Sequence, residues 1–300
     1  MKKIIYLFTI IILLSSCKEL EDEFWDNNVM IHADWKDANL ETGKRPYEQN
    51  TYTIYSYPQI RDEFGSAHPF AKDNTPINLE TDVYDFIIYN DMKFVNRQPM
   101  FKTAEISLPT IISEKNEQII TDFPDSMVYV GISENNVVKF EKQSEVDIKM
   151  IRMFKRVNFN ITLGDKEELT EPLQVELSGV ANRKRVWDQQ LLNTDESIMM
   201  FSLNRRGRYV NTTHYLTTYA GHVLILGITG RNILTMYYTD ADDEIKRLDV
   251  DLTENLKNWN TEEVTVKMLV NVYDETQPDV VVNEWEKGDT SDVPATYNLE

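Results

Sequence analysis

Residues 264–272 read VTVKMLVNV, so that Val264, Val266, Met268, Val270 and Val272 recur at every second position. Side chains of a strand alternate between its two faces, so this pattern buries one face and leaves the other wet. A helix would scatter the same apolar groups around its circumference. The alternation returns along the whole chain, at 29–35 (VMIHADW), 51–57 (TYTIYSY), 127–132, 146–150, 157–163 (VNFNITL), 173–177, 197–203, 222–228, 233–238 and 280–285. Residues 83–89 (VYDFIIY) are nearly continuous in apolar character, as a strand covered on both sides would be.

Clusters of Pro, Asn, Asp and Gly separate these runs, among them Asp73-Asn74-Thr75-Pro76 and the stretch 239–243, and both are expected to turn. Helical signals are few: 19–25 and 181–192 are expected as short helices, and 252–259 as one turn or two. Many short strands at regular spacing predict an all-β chain built as β-sandwiches. A charge run over 139–155 with a change of pattern marks a boundary near residue 150. The expected domains are therefore 29–149 and 150–286, followed by an acidic tail at 287–300 that frays. The length also admits one large β domain.

The beginning of the chain has a different character. Lys2 and Lys3 precede the apolar residues 4–14 (IIYLFTIIILL). As a helix this run would be roughly 16 Å long, well short of the ~30 Å hydrocarbon core of a membrane. It reads as the core of an export signal over residues 1–16. Small residues then precede the chain's single cysteine in Leu14-Ser15-Ser16-Cys17. That tetrapeptide resembles the lipobox of bacterial lipoproteins. The resemblance implies cleavage between Ser16 and Cys17 and a covalent diacylglyceryl and N-acyl lipid on Cys17. An ordinary signal peptide with an incidental cysteine is the alternative. Two or three acyl chains hold a protein durably where one does not, so the mature chain would be tethered to a membrane. Residues 17–28 begin with the acidic CKELEDE and are expected to be a solvated tether. This segment is similar to the Lys-plus-acidic signal that carries many Bacteroidota lipoproteins through the outer membrane to the cell surface, although Leu20 interrupts the acids.

With one cysteine the chain has no internal disulfide, and packed cores must stabilise it. A net charge of −19 argues against nucleic acid or an anionic membrane face as partner, because either demands a basic surface. Two basic clusters stand out, Arg183-Lys184-Arg185 and Arg205-Arg206-Gly207-Arg208, and both are expected to be solvated loop charges.

The residues that carry chemistry fall into no catalytic pattern. The four histidines are His32, His68, His214 and His222, none in an HExxH arrangement or paired with cysteine for zinc. His214 and His222 are expected to flank a turn at Tyr219-Ala220-Gly221, and His32 to point to solvent. Asp240-Ala241-Asp242-Asp243-Glu244 lacks the glycine of a calcium loop and reads as a solvated hairpin tip. The chain has neither a Gly-rich phosphate loop nor a Gly-x-Ser-x-Gly nucleophile elbow. Carboxylates are plentiful, but nothing in their spacing places two around a cleft. No enzyme, metal or free cofactor is expected. Tyr52, Tyr55 and Tyr57, like Tyr237 and Tyr238, would either fill a core or stack on sugars, and core is the preferred reading. Asp125-Ser126-Met127 matches a short O-glycosylation sequon of exported Bacteroidota proteins.

Several of these segments together resemble the fimbrillin-like surface lipoproteins of Bacteroidota, in a branch filed as a domain of unknown function. They are Asp34-Trp35 closing the first strand, Tyr84-Asp85-Phe86-Ile87-Ile88-Tyr89-Asn90, Leu177-Ser178-Gly179-Val180-Ala181, and the final Pro278-Asp279-Val280-Val281-Val282-Asn283-Glu284-Trp285. The resemblance implies two transthyretin-like, Greek-key β-sandwich domains. It further implies a role as fimbrial anchor, accessory subunit or adhesin that meets other fimbrial subunits by β-strand addition. Polymerising relatives lose an N-terminal strand to a protease that cuts after a basic residue; here Arg45 would be that residue, and the cut would release residues 29–35. The weakly apolar tail after Trp285 makes a poor donor strand, which favours an anchor or solitary adhesin over a shaft subunit. A lipoprotein that binds host or dietary glycans for polysaccharide uptake is the alternative function.

Overall fold

The computed structural model describes residues 28–36, 38, 52–60, 65–71, 74–90, 93–96, 100–139, 143–165, 169, 171–192, 196–210, 215–239, 244–257, 263–271 and 279–283. Cys17, Ser16, Arg45, His214, Asp240 to Asp243, Trp285, the export signal, most of the tether, the expected helix at 19–25 and the tail all lie outside the described residues.

The described chain is all-β. Its strands are β1 Val29–Asp34, β2 Tyr52–Pro58, β3 Ser66–Ala71, β4 Thr75–Ile77, β5 Asp82–Tyr89, β6 Val95–Asn96 and β7 Glu105–Ser107. Then come β8 Thr110–Ile112, β9 Gln118–Ile120, β10 Tyr129–Val138, β11 Ser144–Arg152, β12 Lys155–Asp165, β13 Leu173–Val180 and β14 Arg183–Arg185. The remainder are β15 Ser197–Val210, β16 Tyr215–Ile225, β17 Ile233–Thr239, β18 Ile245–Asp251, β19 Glu263–Asn271 and β20 Asp279–Asn283. One short helix, α1 at Thr253–Leu256, lies within the expected 252–259. Among the described residues no helix is long and apolar enough to cross a membrane.

Contacts group the chain into two compact units. The first comprises Met1–Glu105, Val128–Arg152 and Val186–Asp188; the second comprises Ile106–Met127, Met153–Arg185 and Gln189–Glu300.

The first unit carries a seven-stranded sheet in the order β3-β2-β5-β10-β11-β1-β4. β1 runs parallel to β11 and antiparallel to β4, so the first strand of the fold is an interior one. Its alternation puts Val29 and Ile31 wholly out of solvent, with Trp35 edge-on to Tyr129 at 5.5 Å between ring centres. Burying each such side chain contributes about 1.5–3 kcal/mol relative to leaving it in water.

The second unit is a sandwich whose two sheets share one strand. Residues Ser197 to Leu203 of β15 pair with β13, in the layer β18-β17-β13-β15, and residues Asn204 to Val210 pair with β16, in the layer β15-β16-β12-β19-β20. The hairpin β8–β9 extends the first layer by parallel pairing of β9 with Ser197 to Met199. Val157, Phe159, Ile161 and Leu163 of β12 face inward with Val264, Val266, Met268 and Val270 of the parallel β19, and all are buried. Phe159 meets Phe201 across the core at 5.3 Å.

Three local expectations need correction. The helix expected at 181–192 is β14 followed by a turn at Val186–Asp188. Tertiary contacts override propensity there: Lys184 is buried and its Nζ donates to the Met153 carbonyl at 3.1 Å, while Lys184 also bridges to Leu191. Lys184 is therefore not a solvated loop charge. The turn expected at Tyr219-Ala220-Gly221 is the middle of β16, and Gly221 pairs with Phe159. A Cβ on Gly221 would meet Leu203 Cδ2 at 2.8 Å, so the glycine serves close packing and not chain reversal. Finally, Arg205 to Arg208 lie in a strand, because β15 runs on to Val210 instead of ending at Leu203.

Candidate interaction edges

A sandwich interacts through its open strand edges, and each edge of this one is guarded differently. β3 carries Pro69, which has no N–H to offer. β4 is three residues long and contains Pro76. β18 reads IKRLDVD and bristles with charge. β8 has neither charge nor proline, and its Ile111 and Ile112 are exposed. Two further edges remain among the described strands: β20, which pairs with β19 alone, and the second half of β15. Among the described strands β16 alone pairs with residues 204–210, and Arg206 through Val210 are all exposed. The sequence carries a signal for that site: a glycine inside an alternating run (SLNRRGRYV) marks a bulge as readily as a loop.

The histidines do not come together. His32 is half-buried on β1, its Nδ1 2.6 Å from Asn74 Oδ1. His68 on β3 lies 3.2 Å from Ser56 Oγ, and burial pushes its pKa down. That Ser–His pair is no nucleophile and base: Ser56 is buried and its hydroxyl also donates to the Ser66 carbonyl. His222 projects from β16, with its pKa lowered by burial and by Arg156 against a smaller opposing pull from Glu263. Arg156 and Glu263 form an ion pair at 3.5 Å. Among the described residues no three His, Cys, Asp or Glu side chains converge on a metal-sized point.

The tyrosines divide. Tyr52 and Tyr57 are buried, Tyr57 packing on Phe101 at 5.8 Å, while Tyr55 is half-buried. Tyr237 and Tyr238 are half-buried; the Tyr237 hydroxyl donates to Glu176 at 3.0 Å, and burial followed by that bond raises its pKa. Trp187 donates to Glu134 at 2.7 Å with Lys102 over its ring at 5.2 Å. Tyr209 on β15 is the exposed aromatic among the described residues. Around the expected acidic tip, Thr239 pairs with Ile245, and Glu244 holds Lys246 at 2.7 Å. Ser126 is exposed.

No protein-family model matches the chain, and neither does any curated protein. Solved structures do match. A candidate adhesin from Bacteroides ovatus is 13% identical with a TM-score of 0.55, over 82% of this chain and 91% of that one. A candidate polysaccharide-binding protein from Bacteroides thetaiotaomicron is 13% identical with a TM-score of 0.53, over 87% and 98%. A candidate adhesin from the same species is 11% identical with a TM-score of 0.54, over 86% and 96%. The chain thus has the fold of these Bacteroidota proteins along nearly its whole length, and the resemblance read from the sequence holds at the level of fold.

Proposed function

We propose that the chain is a non-enzymatic surface lipoprotein of the outer membrane, held by lipid on Cys17, which acts as a fimbrial anchor, accessory subunit or adhesin through strand addition. The observation that carries this reading is the position of β1. The first strand of the fold fills an interior slot between β11 and β4, its Val29 and Ile31 wholly buried, and 17 residues separate β1 from β2. That linker contains Arg45. While β1 stays, the slot is sealed and the chain remains joined to its lipid. Its removal would leave a groove for a partner strand. The adhesin names borne by proteins of the same fold support the surface role. Polysaccharide binding would call for a row of exposed aromatics, whereas Tyr52 and Tyr57 are core residues.

Mass spectrometry of the native protein in sheared filaments and in washed outer membrane tests this reading. Recovery in membrane, acylated at Cys17 and still containing residues 29–34, is the expected result. A chain without acyl groups in the soluble fraction would overturn it. Recovery in filaments as a chain starting at Pro46 would make the protein a processed shaft subunit instead.

A further inference from the structure

Arg205, Arg206, Gly207 and Arg208 sit where β15 has left β13 and pairs with β16. Arg205 pairs with Tyr219, Gly207 with Thr218 and Arg208 with Thr217, so Arg206 is the extra residue of a bulge. In an unbroken strand residues three apart face opposite sides. Tyr219 and Thr217 are two apart on β16 and share a face, so the bulge brings Arg205 and Arg208 onto one face as well. Arg205 lies close enough to the buried Tyr219 to act on its phenol, whose pKa burial pushes up to about 12 while Arg205 pulls it down and Glu171 adds to the rise. Arg205 and Arg208 are engaged within the chain. Arg206 is exposed and makes no hydrogen bond or ion pair among the described residues. A Cβ on Gly207 would meet nothing within 4 Å, so no crowding by the chain itself requires glycine there. Next to it Tyr209 is 59% and Val210 52% exposed.

In a chain of net charge −19 the exposed Arg206 lies on a strand edge that, among the described strands, is paired on its β16 side alone. Bulges and charges discourage an apolar strand from pairing with such an edge, and a basic strand would be repelled. Carboxylates would be drawn to it. We propose that this half of β15 accepts an extended acidic segment of a partner protein, laid along the open edge with a carboxylate against Arg206 and an apolar side chain against Tyr209. The proposal rests on the strand-addition reading above and adds to it an acceptor edge and the charge of its occupant.

A labelled heptapeptide of alternating valine and glutamate, titrated with the full lipidated chain in detergent, tests it against the same peptide with lysine for glutamate. The glutamate peptide should bind. Its affinity should fall about tenfold on raising salt from roughly 0.05 to 0.3 M, and comparably in Arg206→Glu, which should turn toward the lysine peptide. Ile111→Lys on the β8 edge should change nothing, and the melting temperature of Arg206→Glu should match that of the parent. Equal binding of the two peptides, equal binding by Arg206→Glu, or binding of neither peptide would overturn the proposal. So would binding of polygalacturonate without binding of the peptide. If the peptides fail while the protein is still recovered acylated from outer membrane, the surface reading stands and this edge falls.

Discussion

The neighbouring strands β13 and β15 each carry a bulge, and the two are finished in opposite ways. In β13, Ser178 and Gly179 stand opposite the single residue Ile198. The Ser178 hydroxyl and the Gly179 carbonyl are both clamped from within the fold. Asn232 is buried and donates Nδ2 to the Gly179 carbonyl at 2.8 Å; Thr229 N donates to the same carbonyl at 2.7 Å. Ser178 Oγ donates to the Arg231 carbonyl at 3.1 Å and accepts from Ile233 N at 2.9 Å. In β15, Arg206 projects into solvent and Gly207 borders open space. The bulge of β10 follows the first pattern: Asp85 accepts from Asn135 N at 2.9 Å and from Gln59 Nε2 at 2.6 Å. A bulge satisfied from within its own fold is there to shape the sheet. One left open, like that of β15, leaves its side chains in solvent.

The sharpest way to break the comparison is Gly179→Ala. Gly179 has φ +69°, and a Cβ would lie 2.5 Å from the Arg231 carbonyl and 2.6 Å from that of Thr229. Left-handed strain and overpacking together should cost about 3 kcal/mol, read as a lower urea midpoint with unchanged slope. A loss below ~1 kcal/mol would show that the clamp is slack.

A smaller effect should come from acid. Asp251 holds the loop that closes the β13 bulge: its Oδ2 accepts from Arg231 Nε at 3.0 Å and Nη2 at 2.9 Å, and its Oδ1 accepts from Thr253 N at 3.0 Å. Hydrogen bonds from Thr253, and then from Arg231, pull its pKa from 3.8 to about 2. Because the folded value is the lower one, this stabilisation is present above pH 3.8 and is lost as pH falls toward about 2. Thermal melts of Asp251→Asn against the parent should differ near neutrality and converge over that window. A constant gap across it would contradict the assignment.

The smallest effect should be that of Arg206→Ala. With no bond to lose among the described residues, its stability should stay within about 0.5 kcal/mol of the parent in the same urea titration. A loss of 2 kcal/mol would mean that the open bulge is as structural as the closed one.

Much of the fold was legible because burial imposes a period on strands. The runs 157–163 and 264–272 lie in β12 and β19, buried residues alternating as their sequence does. What escaped was whatever a distant partner decides. The pattern at 197–203 stops at Leu203 because the inward face ends there, yet the backbone continues to Val210 on hydrogen bonds to β16, which no apolar period records. Gly221 looks like a turn until Leu203 is seen above it, and Lys184 looks like a surface charge until the Met153 carbonyl is found against its ammonium group. The candidate edge was half visible: its arginines could be counted, but not the face they occupy.

The sequence by itself thus determined an all-β chain with packed cores, and predicted an export signal and a lipid on Cys17. Alternation, absence of disulfides and the order of charge, grease and cysteine at the start are local properties, readable within a few residues. Tertiary structure alone decided that β1 is an interior strand, that β15 belongs to two layers, and that a bulge aligns Arg205 with Arg208. Pairing register links residues far apart in the chain, and one inserted residue reverses which side every later side chain faces.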